Sequence, residues 1–388
     1  MKHSIWTIAI SHMFIEIFFL MHLALIPVFL KEFNLTLVEA SLIVTVPTSL
    51  GLLTNVSSGF LVDRIGPKPI LVCGMMLQAI GGFVVASSWD IMSLLSGASC
   101  IGIASSFYHN SGLSIISKDL KKYELSKGMG FHSAMGSVGT TMGLLTLPIM
   151  LTYYNWRLAY IIWTIPILFW AFNLMRIRLR SINLPERTKV RSARSILSKD
   201  FVSFLIAMGF RQSGAIIIVT FITTYMVLLR DLSEVTSSLI FAIGPPMGIF
   251  SSLISGYLGY SLGNKKVLIL VMVGAMFSVA FMHFAPTTLL LVLIFLCFMF
   301  FNQAVWAPLA SITATLTPSN RRGLGYSLSM SSQQAIIAVS PLLAAKLIED
   351  SSLLIMFPLS VALIFISIVI FILPSWNRYS SVIEIMNK

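Results

Sequence analysis

Residues 59–71 read GFLVDRIGPKPIL, and residues 256–268 read GYLGYSLGNKKVL. Gly59, Leu61, Gly66, Lys68 and Leu71 of the first match Gly256, Leu258, Gly263, Lys265 and Leu268 of the second. A second pair lies at nearly the same offset, SKGMGF at 126–131 and RRGLGY at 321–326. Two matches in register mark a duplicated chain, and duplicated halves around a central cavity are a transporter architecture.

What surrounds the repeats sets the solvent. Of 388 residues, 57% are hydrophobic and 10% are charged, with mean hydropathy +0.91. A water-soluble domain carries about 25% charged residues, so this chain reads as dissolved in lipid. The formal charge of +12 resides in short loops between apolar runs, which argues for membrane topology and against a nucleic-acid partner. Long continuous apolar runs without period-two alternation exclude a transmembrane β-barrel. The basic start MKHSIWTIAI leads into an apolar run too long for a signal peptide, and it is expected to be the first spanning helix. Cys73, Cys100 and Cys297 show neither metal-ligand nor disulfide spacing and are expected to pack inside helices.

The fold expected is an all-α membrane protein, twelve spanning helices in two pseudo-symmetric six-helix halves. Residues 1–176 form the first half, 177–200 a basic linker containing Pro185, and 201–388 the second half. About 21 of the 26 Lys and Arg residues fall at the termini or in the even-numbered loops, which puts both termini and the linker in the cytoplasm. Trp6, Trp89, Trp156 and Trp376 fall near helix ends, where interface anchors belong. The expected location is the inner or plasma membrane.

The run Gly59, Asp63, Arg64, Gly66 and Lys68 resembles the signature loop of the major facilitator superfamily. Helix count, linker and repeat extend that resemblance over nearly the whole chain. It implies alternating access, with Asp63 and Arg64 acting in a charge lock that gates rather than binds. Pro69 stands where a second basic residue is usual, and Tyr260 replaces the acid in the partner loop. The glycines are expected to permit a tight turn and close helix approach. A narrower similarity links His12-x-x-x-Glu16 and FYHNSG at 107–112 to the fosmidomycin-resistance branch of exporters, with Glu16 replacing an aspartate and Asn110 a proline. GSVGTTMGLLTLP at 136–148 partly matches the Gly-Pro antiporter motif.

Glu16 is the one acid placed deep in a span, and Arg211 the one deep base. Intramembrane ions usually face a cavity or a partner and mark a transport route. His12 and Glu16 share a helix face. An apolar surrounding favours the neutral acid and a nearby cation the carboxylate, so Glu16 with His12 is the expected proton-coupling pair. Arg211 is expected to pair with Glu16 or with an anionic substrate such as a phosphonate or carboxylate; a structural ion pair is the plainer alternative. At about 1.5 Å per residue, His12, Glu16, His109, His132 and Arg211 reach one layer of the membrane. His109, Tyr108, Asn110 and His132 are further substrate-contact candidates, His132 being as well explained by a structural role. Asn302, Gln303, Trp306, Gln333 and Gln334 add amides and a flat apolar wall, with interhelical hydrogen bonds as the alternative. His22 is expected at the interface.

The function expected is secondary active transport coupled to protons, exporting a small organic compound, anionic or amphiphilic, by antiport. Uptake of a small organic anion is the alternative and a membrane-embedded enzyme a remote one. No P-loop is present, and no cofactor, metal or enzymatic activity is expected. The expected partners are substrate, protons and lipid, with the chain long enough to act as a monomer.

Overall fold

The computed structural model describes residues 3–119, 122–177, 197–317 and 322–372, except for the side chains at 3, 4, 56, 63, 113, 117–119, 122–130 and 322–324. Twelve helical stretches are long and apolar enough to cross a membrane, and no strand occurs among the described residues. In lipid every backbone group must bond within its own segment, which leaves helices as the solution for such runs. Trp376 and most of the expected linker lie outside the described residues.

The helices group into two compact units. One comprises Met1–Thr188 with Thr220–Pro246, the other Lys189–Val219 with Met247–Lys388. The units therefore do not follow the two sequence halves: the stretch from Thr220 to Pro246 packs with the first half.

In the first unit, α1 (His3–Glu16) ends in mid-span. Residues 17–20 form a turn, followed by α2 (Met21–Ala24) and α3 (Ile26–Glu32). A continuous helix was expected here, since nothing in IFFL breaks one. Two of the freed carbonyls, those of Ile15 and Leu23, find side-chain donors, as an apolar surrounding favours. Phe19 N bonds Glu16 O at 3.1 Å, which strands Ile15 O, and the Gln78 amide donates to that oxygen at 2.9 Å. His22 Nδ1 lies 3.2 Å from Phe18 O, so His22 serves the break rather than the interface. Pro27 has no N–H for Leu23 O, and the Thr223 hydroxyl supplies the bond at 3.2 Å.

The remaining helices of this unit are α4 (Leu37–Ile65), α5 (Pro67–Ala86), α6 (Ile91–Asp119), α7 (Lys122–Tyr153), α8 (Trp156–Arg176), the C-terminal part of α9 (Lys199–Leu228) and α10 (Glu234–Ala242). Helix α7 lies along α1 through small residues. A Cβ on Gly139 or Gly143 would collide with the carbonyls of Met13 or Ile17, and one on Gly136 with the His12 ring. Such small-residue seams let membrane helices approach closely. Trp156 departs from its expected place at the lipid interface: it is 2% exposed and donates to Glu32 at 2.6 Å.

The second unit contains the N-terminal part of α9 with α11 (Met247–Leu262), α12 (Asn264–His283), α13 (Thr288–Ala304), α14 (Trp306–Leu316), α15 (Arg322–Glu349) and α16 (Met356–Ile372). Ser367 and Ser360 donate to the carbonyls of Ala207 and Gly214, tying α16 to α9. Cys73 and Cys297 are exposed on helix faces and Cys100 is half-buried, so the thiols do not pack inside as expected.

The duplication reaches further than the two sequence matches. Gly66 and Gly263 adopt φ of +91° and +89° at equivalent helix junctions. Asn34 and Asp231 adopt φ of +50° and +51°, each two residues before an N-cap, Thr36 or Ser233. Asn and Asp tolerate this left-handed conformation best among side-chain-bearing residues. The signal was legible as Asn34-Leu35-Thr36 against Asp231-Leu232-Ser233, at the same offset as Gly66 and Gly263.

Candidate functional site

Glu16 occupies the last position of α1, where the helix stops. Its Oε1 lies 3.4 Å from His12 Nε2, one turn back, and 3.5 Å from His109 Nε2 on α6. The spacing of His12 and Glu16 was readable from sequence; the approach of His109 required the crossing of α6 over α1.

The tautomer of His12 follows from its surroundings. Its Nδ1 lies 2.7 Å from the backbone carbonyl of His132. A carbonyl only accepts, so Nδ1 carries a proton. Neutral His12 would then turn a bare Nε2 toward Glu16. The contact is attractive only if one more proton is present, on His12 or on Glu16.

Behind this pair, the His132 ring stacks on that of His12, with centroids 3.9 Å apart and planes 6° apart. Tyr108 is fully buried; its hydroxyl lies 2.8 Å from His132 Nε2 and donates to Ile8 O at 2.9 Å. The single hydroxyl proton goes to the carbonyl, so His132 Nε2 is the donor to Tyr108. Tyr108 and His132 thus form a braced wall that positions His12. Asn110 faces another way: it bonds the Asn55 carbonyl and side chain at 2.8 and 2.7 Å and also Ser58, clamping α6 to α4.

His12 Nε2, His109 Nε2 and a Glu16 oxygen lie within 4.8 Å of one another, a nitrogen and oxygen set of the kind a transition-metal ion accepts. The same spacing suits a proton shared between an acid and two imidazoles.

In the second unit, Arg211 is 3% exposed. Its Nη1 donates to Asn302 Oδ1 at 2.9 Å, and its Nη2 bonds Gln212 Oε1. Neighbours on a helix face different ways, which hid Gln212 from the sequence reading. Trp306 Nε1 donates to Gln303 Oε1 at 3.1 Å, and Gln333 bonds the Ser329 carbonyl one turn back, its Oε1 left without a partner among the described residues. Glu16 and Arg211 belong to different units, and each is described with its own partners.

At the signature loop, Gly66 joins α4 to α5 in a conformation that suits glycine. No described atom lies within 4 Å of a Cβ built on Gly59, so the close approach expected there is not made. Arg64 is exposed, and Lys68 donates to the Met175 carbonyl at 2.9 Å, capping the last turn of α8. The Asp63 side chain lies outside the described residues. A cavity of about 450 Å³ lies far along the first span, lined by Val28, Lys31, Glu32, Leu151, Glu234 and Val235, away from Glu16.

Comparison with known proteins places this arrangement. The family described as Major Facilitator Superfamily matches over residues 8–341 and again over 246–381. The inner membrane transport protein YnfM of Escherichia coli is 28% identical over 140 residues, 35% of this chain and 32% of that protein. An uncharacterized MFS-type transporter of Bacillus subtilis, YybF, is 25% identical over 268 residues, 65% of each chain. The riboflavin transporter RibZ of Clostridioides difficile is 25% identical over 141 residues, 36% of this chain and 31% of that one. The matches thus span between about a third and two thirds of these relatives. Among solved structures, a bacterial homologue of the human lysosomal transporter Spinster, inward-facing and occupied, superposes with TM-score 0.81 at 12% identity, covering 95% of both chains.

Proposed function

The chain belongs to the Major Facilitator Superfamily, and we propose that it is a proton-coupled secondary transporter exporting a small organic compound by antiport. That it is a multi-pass membrane transporter and not an enzyme is supported by the family and by the twelve helices among the described residues that are long and apolar enough to cross a membrane. Proton coupling rests on one observation: with His12 Nδ1 committed to the His132 carbonyl, the 3.4 Å contact between His12 Nε2 and Glu16 is attractive only when it holds a proton. His109 at 3.5 Å, half-exposed, is a route by which that proton arrives or leaves. Export is supported by the resemblance of the His12–Glu16 and FYHNSG stretches to a drug-exporting branch. The distribution of Lys and Arg supports cytoplasmic termini and a cell-membrane location, with Asp63 and Arg64 as gating residues. Asn302, Gln303, Trp306 and Gln333 are the proposed substrate contacts beside Arg211. Uptake of a small organic anion is the second reading, favoured by the buried Arg211.

The test is proton flux in proteoliposomes driven by a panel of organic anions and amphiphilic drugs. Substrate-driven proton movement is expected in the wild type and absent in Glu16→Gln. Retained coupling in that variant removes Glu16 from the mechanism, and the orientation of productive gradients separates export from uptake.

A further inference from the structure

Arg211 is a buried cation with no acid at ion-pair distance among the described residues of its unit. The described acids of its unit are Asp200, Glu349 and Asp350, and none lies at ion-pair distance from it. Its helix begins at Lys199, so Arg211 stands about 18 Å along the span, at about 1.5 Å per residue. A guanidinium carries five N–H donors. One is taken by Asn302 Oδ1 and one by Gln212 Oε1, leaving three; the buried Nε has no partner among the described residues. Buried donors are normally satisfied, and an unpaired charge in an apolar surrounding is costly. Two neutral amides, each holding by one bond, compensate it only in part.

We infer that Arg211, with Asn302 and Gln212, is an oxyanion-binding subsite, and that the transported compound carries a carboxylate or a phosphonate-type group. The inference rests on the transport reading and names its substrate class. An oxyanion displaces one or both amide oxygens and takes the free donors in a two-pronged arrangement, which a planar guanidinium fits and an ammonium does not. The displaced amides turn their N–H₂ groups, donors themselves, to the same anion. In the unliganded protein the amides hold the place.

The experiment is thermal unfolding of the purified full chain in detergent, with benzoate, phenylphosphonate and the neutral benzamide at millimolar concentration. Because a ligand of the native state raises its stability, benzoate or phenylphosphonate is expected to raise the melting temperature of the wild type. Benzamide leaves it unchanged, and Arg211→Gln abolishes the rise. Which anion acts tells carboxylate from phosphonate. Without ligand, Arg211→Gln is expected to melt no lower than the wild type, since it removes an uncompensated charge. The inference fails if neither anion raises the melting temperature, if Arg211→Gln keeps the rise, or if it destabilises the unliganded protein and Arg211→Lys restores it. None of these readouts uses a proton gradient, so failure here and failure of proton coupling at Glu16 are separate results.

Discussion

The His12 ring lies flat on that of His132 at 3.9 Å while its Nδ1 donates to the His132 backbone at 2.7 Å, so one residue fixes both the plane and the tautomer of the other. The backbone bond survives any side-chain change, whereas the stack depends on Tyr108 bracing the His132 ring. Tyr108→Phe leaves the buried His132 Nε2 without its partner and removes the second bond to Ile8 O, which keeps its bond within α1. A loss of about 1–3 kcal/mol is expected, read by thermal unfolding, with proton coupling weakened but present because Glu16 and His12 remain.

The seam between α1 and α7 gives a second expectation. Gly139→Ala puts a methyl group against the Met13 carbonyl, and Gly136→Ala puts one into the His12 ring. Each is expected to cost about 1–3 kcal/mol through overpacking. Gly136→Ala also displaces the imidazole and lowers substrate-driven proton flux, while Gly59→Ala, with no described neighbour within 4 Å, leaves the melting temperature unchanged or raised.

Gln78 is tied to the break in the first span. Gln78→Leu keeps the volume and removes the donor to Ile15 O. A loss of about 1–3 kcal/mol is expected for that unpaired carbonyl. Hydrogen exchange of residues 15–20 should rise relative to the wild type; unchanged exchange there would show that the break does not depend on this amide.

The duplicated turns should respond alike. Gly66 and Gly263, at φ of +91° and +89°, lie where a side chain is strained. Alanine at either is expected to cost about 1–3 kcal/mol, read by thermal unfolding. Costs of similar size would mark the two turns as one structural device used twice.

Two ion pairs at the far end of the first span should behave differently. Arg157 bonds Glu32 at 2.5 Å and the Ser88 carbonyl at 2.8 Å, and lies 4.4 Å from the Trp156 ring centre. Lys31 is 83% exposed and 4.0 Å from Glu234. Arg157→Lys is expected to destabilise by roughly 1–2 kcal/mol because an ammonium cannot make the fork and the stack together. Lys31→Ala should change stability by less than about 1 kcal/mol.

Much of this was readable in the chain. Apolar run length gives the spans, and the recurrence of Gly66 as Gly263 gives the duplication, because both are local properties. The pairing of His12 with Glu16 was legible because a helix brings every fourth residue to one face. His109 and the His132 carbonyl were not, since their approach depends on how α6 and α7 cross α1. The stop after Glu16 was hidden for a related reason. IFFL contains no helix breaker, and the carbonyl freed there is answered by Gln78, more than sixty positions on. Asn110 shows the opposite limit: its place beside His109 suggested a pore residue, yet its amide clamps two helices.

The stop after Glu16 also has a mechanical meaning. Helix α1 is a rod of 14 residues, about 21 Å at 1.5 Å per residue, and the acid sits at its pivot rather than along its shaft. A swing of α1 about residues 17–20 would carry its first residue through the longest arc and Glu16 through the shortest. In the proposed proton-coupled cycle Glu16 would thus be a fulcrum, its exposure set by what passes over it and not by its own displacement.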